Sequence, residues 1–423
     1  MKGFAMAASS ALVLTAALAG CGSSTGTNNT SGGSSSKTVN LNFLQNKPEV
    51  VAEWNKLIQE FEKQNPNIKI KQINPPNTDT TLQADLAKGQ MPDIVAMGAD
   101  ATFIQMAKNN VFKDLSNASE LNKVSPVYVK MLEKEVGKNT PYALPYTVNA
   151  VPIVYNVDLF NKYHLKVPTT WTQLMAEAKQ IKAAGGTPFY NGFKDAWTTA
   201  PIWNALAVNT EGSHFLPDLK AGKTSFSRSD VTAAKRMQEF VSYGQSNQFG
   251  VDYNDANVAF AKGKSVFYAQ GIWTLPVIRQ ANPNIKLSTF VVPATNDPSQ
   301  TKMVSGVDSL LAITNSGNST KEQAAMKFID FLLEKKNAAE YANVAGLFST
   351  VVGVKNSDPA LKPLQPYIDQ GKVVDFDDHY YPPAMAAGNQ YESVLQGALS
   401  KKQSVQQMLQ QLDSLYQQSA SHQ

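Results

Sequence analysis

From Val39 onward the hydrophobic period of the chain switches repeatedly between two residues and 3.6, and this alternation confines the fold to layered α/β architectures. VNLNFLQ (39–45) alternates apolar and polar residues as a strand does. Trp54, Leu57, Ile58 and Phe61 then fall at the offsets 0, 3, 4 and 7 of one helix face, and IKIKQI (68–73) returns to strand. Pro66 separates those two elements, PDIVAM supplies a third strand, and PYALPYTVNAVPIVYN (141–156) is a long extended passage punctuated by prolines. Helix starts are marked by Thr170 with Gln173, Ser319 with Glu322, and Ser404 with Gln407, each with the spacing of a capping box. The stretch from about residue 38 to 423 is too long for one compact core and predicts two domains of ordinary size. No internal repeat is visible.

The first 37 residues read differently. One charge, Lys2, precedes an apolar run from Ala11 to Leu18 that ends in small residues, the layout of a secretory signal peptide and too short a run to span a bilayer. The single cysteine, Cys21, closes this run in the tetrapeptide LAGC. Residues 22–37 (GSSTGTNNTSGGSSSK) contain nothing to bury, and a coil of this composition has a root-mean-square reach of roughly 20–25 Å. LAGC resembles the lipobox of bacterial lipoproteins. That resemblance implies a signal peptide over 1–20, a lipid-modified Cys21 at the mature N-terminus, a flexible tether over 21–37, and a protein held on the extracytoplasmic face of the cell membrane by more than one acyl chain.

A net charge of +4 without a basic block gives no basis for nucleic acid as a partner. Nucleotide and catalytic motifs fail on spacing. Gly222-Lys223-Thr224 would need glycine at 217, where Pro217 stands, and Gly263-Lys264-Ser265 would need it at 258, where Val258 stands. His164, His214, His379 and His422 include no i,i+4 pair for a zinc protease helix, and Ser246 lacks the flanking glycines of a nucleophile elbow. The stretch Asp375, Asp377, Asp378, His379, Tyr380, Tyr381 carries hard oxygen ligands suited to ferric iron, but without regular ligand spacing it reads as a solvated acidic loop with an aromatic or two packed at its base. Neither a cofactor nor a bound metal is expected.

Four passages resemble one family in order and spacing: Gly89–Asp100 (GQMPDIVAMGAD), Tyr142–Phe160 (YALPYTVNAVPIVYNVDLF), Phe260–Trp273 (FAKGKSVFYAQGIW) and Lys321–Gly346 (KEQAAMKFIDFLLEKKNAAEYANVAG). The family is that of the extracellular solute-binding proteins of ATP-binding cassette importers, in its sugar-binding, maltose-binding-protein-like branch. The resemblance implies a two-lobed α/β fold of periplasmic-binding-protein type II, with the ligand cleft between lobes and several hinge crossings. The crossings fall near Asn149, Val291 and Leu347, giving lobe 1 as 38–148 plus 292–346 and lobe 2 as 149–291 plus 347–423. It also implies a monomer that closes on its ligand and delivers it to transmembrane permease subunits. Ser349 departs from the family pattern, in which proline commonly follows the glycine of this loop.

A sugar ring has an apolar C–H face that stacks on aromatic planes and a hydroxyl rim that needs carboxylates and amides. The resemblance puts Trp273 and Trp197 in the stacking role, with Tyr381 as a further aromatic. Asp100, Asn46, Lys47 and Glu49 come from the first lobe, Asn149 from the crossing, and Gly306 and Asp308 from a passage that approaches the ligand closely. The residues alone leave rivals open: a helix N-cap for Asp100, hinge backbone for Asn149, core packing for the tryptophans. At the level of function, ferric iron, a polyamine or a peptide could replace the sugar, and a surface-anchored glycoside hydrolase or a structural adhesin could replace the receptor.

Overall fold

Leu41 and Phe43 of the first strand, β1 (Val39–Gln45), bury on one face of a sheet and Leu44 on the other, so both faces of this sheet need cover. This computed structural model describes residues 38–421; the signal peptide, Cys21 and tether expected over 1–37 lie outside the described residues. β1 pairs in parallel with β2 (Ile68–Ile73) and with β3 (Ile94–Met97). Antiparallel additions follow from β4 (Leu144–Val148), β9 (Val307–Ile313) and β10 (Phe348–Ser349), giving the order β10-β4-β9-β3-β1-β2. One face is covered by α1 (Val51–Gln64), whose Trp54 meets Phe43 edge-on with ring centres 4.9 Å apart. The other is covered by α2 (Ala101–Lys108) and α3 (Pro126–Val136), through Phe103, Met106, Tyr128 and Leu132.

A second, antiparallel sheet has the order β6-β5-β7, from β5 (Pro152–Asn156), β6 (Phe267–Ala269) and β7 (Leu287–Val291). Ile153, Phe267 and Phe290 sink into a core with Trp171, Phe189, Trp203 and Phe240. α4 (Trp171–Ala183) lies on that side, whereas α5 (Tyr253–Ala261) and α6 (Thr274–Ala281) pack through Phe260 and Ile278 with Val154 and Tyr268. Two sheets with separate helical cover make the two-lobed α/β fold. The extended passage 141–156 is therefore two strands, one in each sheet.

Between the sheets three segments run side by side. Asn149 N–H donates to the Gly306 carbonyl at 3.1 Å, Val151 N–H to the Val304 carbonyl at 2.9 Å, and Ser305 N–H to the Val374 carbonyl at 2.9 Å. Within this junction β8 (Met303–Val304) and β11 (Val373–Val374) form a small parallel pair.

The helix caps refine the sequence reading. At α4 the Thr170 hydroxyl accepts from Gln173 N–H at 3.2 Å, but the Gln173 side-chain Oε1 takes Thr169 N–H at 2.8 Å, one residue early. For α7 (Ser319–Leu332) the cap is Asn318 rather than Ser319: its side chain accepts from Lys321 N–H at 3.1 Å. Asparagine caps as well as serine does, and Glu322 is drawn instead to Gly317 N–H and to Lys113, 2.6 Å away. The reciprocal box of Ser404 and Gln407 forms as expected and opens α8 (Val405–Ala420).

Candidate functional site

The C-terminal ends of β1 and β3 share an edge of the larger sheet with the start of the antiparallel β9, and β4 ends there too, since Val148 pairs with Val307. Strand ends of this kind expose side chains from several segments at once. At the end of β1, buried Gln45 is held by Gln72 at 2.9 Å and accepts Lys47 N–H at 2.6 Å, which bends the chain out of the sheet. Asn46 follows, its buried side-chain oxygen without a hydrogen-bond partner among the described residues. Lys47 reaches across to Asp308, Nζ to Oδ2 2.5 Å, with the two side chains only 20% and 18% exposed. Glu49 is exposed in the short 3-10 turn Pro48–Val50. Burial pushes the Tyr341 hydroxyl above its usual range, and the carboxylates of Asp308 and Glu49 add to that push.

Asp100 caps α2: its Oδ1 accepts Phe103 N–H at 3.0 Å. Burial pushes its carboxyl up to about 6, against the lowering effect of that backbone hydrogen bond. The capping reading of Asp100 is therefore realised, and it leaves the second carboxylate oxygen unused by the cap. Asn149 likewise serves the backbone, its Oδ1 accepting Gly306 N–H at 3.1 Å. Gly306 is squeezed from the other side: a Cβ there would lie 3.1 Å from an Asp375 oxygen and 3.1 Å from the His379 ring.

The aromatic candidates belong to the smaller sheet's lobe. Trp273 precedes α6, half-buried, with its indole folded over Gly271 so closely that a Cβ on that glycine would meet the ring at 1.9 Å. Ile272 N–H donates to the Ala150 carbonyl at 3.0 Å, which ties this turn to the crossing. Trp197 lies in the turn Ala196–Thr199, its ring centre 4.9 Å from that of Tyr253. Gln270 Nε2 donates to the Thr198 carbonyl at 3.0 Å and so joins the two tryptophan turns.

Tyr253, Asn257 and Gln270 were not singled out by the sequence reading. Asn257 is fully buried one helical turn beyond Tyr253, and its amide meets no well-aligned partner among the described residues. Their signal was the i,i+4 pair Tyr253/Asn257, just upstream of the passage that carries the family resemblance.

One expectation about the 375–381 stretch is corrected. Asp375 and Asp377 are buried, 5% and 4% exposed, so the segment is no solvated acidic loop. Phe376 and Tyr381 anchor it in the core, and tyrosine hydroxyls serve its acids: Tyr380 OH donates to Asp375 at 2.7 Å and Tyr391 OH to Asp378 at 2.8 Å. Tyr381 is 6% exposed with its ring against Phe226 and Tyr391, at 5.5 and 5.7 Å, one of the aromatics packed at the base of the segment. A cavity of about 1090 Å³ bordered by Tyr243, Gln245, Phe249 and Gln403 contains none of the predicted ligand residues.

Two α/β lobes joined by crossing strands, with charged groups on one and half-buried indoles on the other, define a receptor that holds a small solute. The family described as bacterial extracellular solute-binding protein matches residues 46–339, and the chain belongs to it. The multiple sugar-binding protein of Streptococcus mutans serotype c is 29% identical over 352 residues, covering 81% of each chain. The apo form of RafE from Streptococcus pneumoniae superposes with a TM-score of 0.81 at 25% identity, covering 91% of this chain and 98% of that one. RafE in complex with raffinose gives a TM-score of 0.71 at 26% identity, over 90% of this chain and 100% of that one. Among the described residues no helix is long and apolar enough to cross a membrane.

Proposed function

We propose that this chain is the carbohydrate-binding lipoprotein of an ATP-binding cassette importer, capturing a mono- or oligosaccharide between its lobes and passing it to transmembrane permease subunits. The observation that carries the reading is family membership joined to relatives named for sugars: a multiple sugar-binding protein at 29% identity and a raffinose complex with the same fold. Local chemistry agrees. Half-buried Trp273 and Trp197 offer planes for the C–H faces of pyranose rings, and Lys47, Asp308, Asp100 and Asn149 offer charged and amide groups for hydroxyls. No nucleophile, general acid or cofactor is assigned; the chain binds and releases its ligand unchanged.

Closure divides the labour. Lobe 1 (38–148 plus 292–346) supplies Asn46, Lys47, Glu49, Asp100, Gly306 and Asp308, and lobe 2 (149–291 plus 347–423) supplies Trp197 and Trp273. The pairing of β10 with β4, the bridge from Val351 to Val124 and the Val352 N–H bond to the Lys123 carbonyl support moving the third crossing from Leu347 to just after Val352, which adds 347–352 to lobe 1. Each half-site is incomplete alone, so a sugar that touches both lobes stabilises the shut form by its differential contacts. Cys21, lipid-modified before removal of residues 1–20 leaves it at the N-terminus, anchors the chain to the outer face of the cell membrane, and residues 22–37 let it turn.

A thermal-shift screen of the full chain against mono-, di- and oligosaccharides tests the assignment, with ferric citrate, spermidine and a peptide pool alongside. A ligand at one hundred times its Kd raises stability by about 2.7 kcal/mol. The reading requires a shift confined to sugars. A shift with iron, polyamine or peptide instead would leave the fold standing and remove the carbohydrate.

A further inference from the structure

Glu135, near the end of α3, points a carboxylate with 0% side-chain exposure into the space beside Asp375 and His379, and neither of its oxygens has a hydrogen-bond donor among the described residues. Asp375 follows β11 and His379 sits in the turn Asp377–Tyr380, so the three groups come from segments 240 residues apart in sequence. His379 Nδ1 is 2.9 Å from Asp375 Oδ1 and 3.6 Å from Glu135 Oε1. One ligand atom from each residue lies within 4.8 Å of the other two.

We propose that Glu135, Asp375 and His379 form a binding site for one divalent transition-metal ion, of which zinc fits best, clipping α3 to the 375–380 segment. Four-coordinate zinc takes nitrogen and oxygen ligands at about 2.0–2.2 Å, which sets neighbouring ligand atoms about 3.3 Å apart. The two nitrogen–oxygen separations bracket that value. A set of two carboxylates and one imidazole, with no thiolate, selects zinc over softer ions, and the imidazole argues against calcium or magnesium.

The surroundings suit such a site. Tyr380 OH donates to the outer oxygen of Asp375 at 2.7 Å, orienting the carboxylate as outer partners of metal ligands do. Lys134, one residue before Glu135, lies 4.1 Å from the centre of the Tyr380 ring and fixes the same helix to the same turn. The Gly306 backbone closes one wall, where a Cβ would stand in tight contact, 3.1 Å, with Asp375 and with His379. The His379 side chain is 30% exposed, whereas its Nδ1 and both Glu135 oxygens, the atoms that would face the ion, are buried. The tyrosines take no direct part: Tyr380 bonds to Asp375, and Tyr381 packs in the core. The site lies beside the junction and is separate from the carbohydrate reading, on which it does not depend.

The test uses the full chain without a polyhistidine tag, stripped with EDTA and titrated with zinc chloride against a chromophoric chelator. One tight equivalent per chain is expected, weakened at least about tenfold in Glu135→Gln and in His379→Gln, and by a smaller factor in Tyr380→Phe. Cobalt loading should give the visible absorption of a tetrahedral site in the wild type and lose it in His379→Gln. Circular dichroism establishes that each variant is folded. Should Glu135→Gln fail to fold, the partly exposed His379 carries the comparison. Absence of a tight equivalent in the wild type would overturn the proposal, as would equal uptake by both variants, which would give the zinc to His164, His214 or His422.

Discussion

Gly271 and Trp273 allow the stacking role to be tested by displacing a ring instead of deleting it. A methyl group on Gly271 would stand 1.9 Å from the indole, whereas carbon atoms need about 3.5 Å, so Gly271→Ala must move the ring by about 1.6 Å or swing it outward. The ring is only half-buried and has somewhere to go. If it carries one face of a bound sugar, losing that contact should weaken binding about 30-fold, or about 2 kcal/mol. With sugar at one hundred times the wild-type Kd, ligand stabilisation then falls from about 2.7 to about 0.9 kcal/mol. At about 2 °C per kcal/mol the melting shift shrinks from about 5 °C to about 2 °C. Trp273→Ala should lose at least as much affinity while costing the unliganded protein about 1–2 kcal/mol, less than a fully buried tryptophan would. Scanning fluorimetry with and without sugar separates the two effects. A full wild-type shift in both variants would refute the stacking role, and a basal loss of about 4 kcal/mol in Trp273→Ala would return the residue to the core.

Other expectations concern charge. Lys47→Met strands Asp308 and should weaken sugar binding and lower basal stability by about 1–2 kcal/mol; in the double variant with Asp308→Asn much of the stability returns, as a double-mutant cycle of melting points would show. Asp100, with its carboxyl pushed up to about 6, should accept a sugar hydroxyl best when ionised. Affinity should then fall by up to about tenfold per pH unit below 6, and Asp100→Asn should flatten that profile in calorimetry. Asp230 is fully buried with neither oxygen hydrogen-bonded in good geometry, and burial, with the Asp377 charge adding, holds its carboxyl well above its ordinary range. Neighbouring Glu211 is pushed up to about 12, first by burial and then by Asp377 and Asp230. Raised folded-state values make the native protein the better proton binder, so this cluster costs nothing below about pH 4 and destabilises as pH rises. Asp230→Asn should therefore be more stable than wild type by about 1–3 kcal/mol at pH 7.5, with the gain closing towards pH 4; denaturant melts at the two pH values check the sign.

Much of the fold was legible because period and spacing are local. β1, α1 and β2 fall where their alternation and helical offsets put them, and the box at Ser404 is set by two side chains three residues apart. The cap of α7 was misread by one residue because Asn318 and Ser319 are equivalent caps in sequence, and only the distant Lys113 settles where Glu322 goes. The 375–381 stretch was misread for a related reason. Its acids look solvated until Glu135, Asn204 and Tyr391, from three other segments, close around them. Asp100 and Asn149 show why site residues resist assignment from sequence: each satisfies backbone groups at an end or crossing of the larger sheet, a role that explains the residue without a ligand. Asn257 and Tyr253 escaped notice because a helical pair of a tyrosine and an asparagine has no meaning until Trp197 packs beside it.

Calorimetric titration of the full chain with the sugar that gives the largest melting shift tests capture most directly. Saturable single-site heat in the wild type, lost or strongly weakened in Trp273→Ala, is the expected result. Saturable binding of ferric citrate, spermidine or peptide, with no heat from any mono-, di- or oligosaccharide, would contradict it.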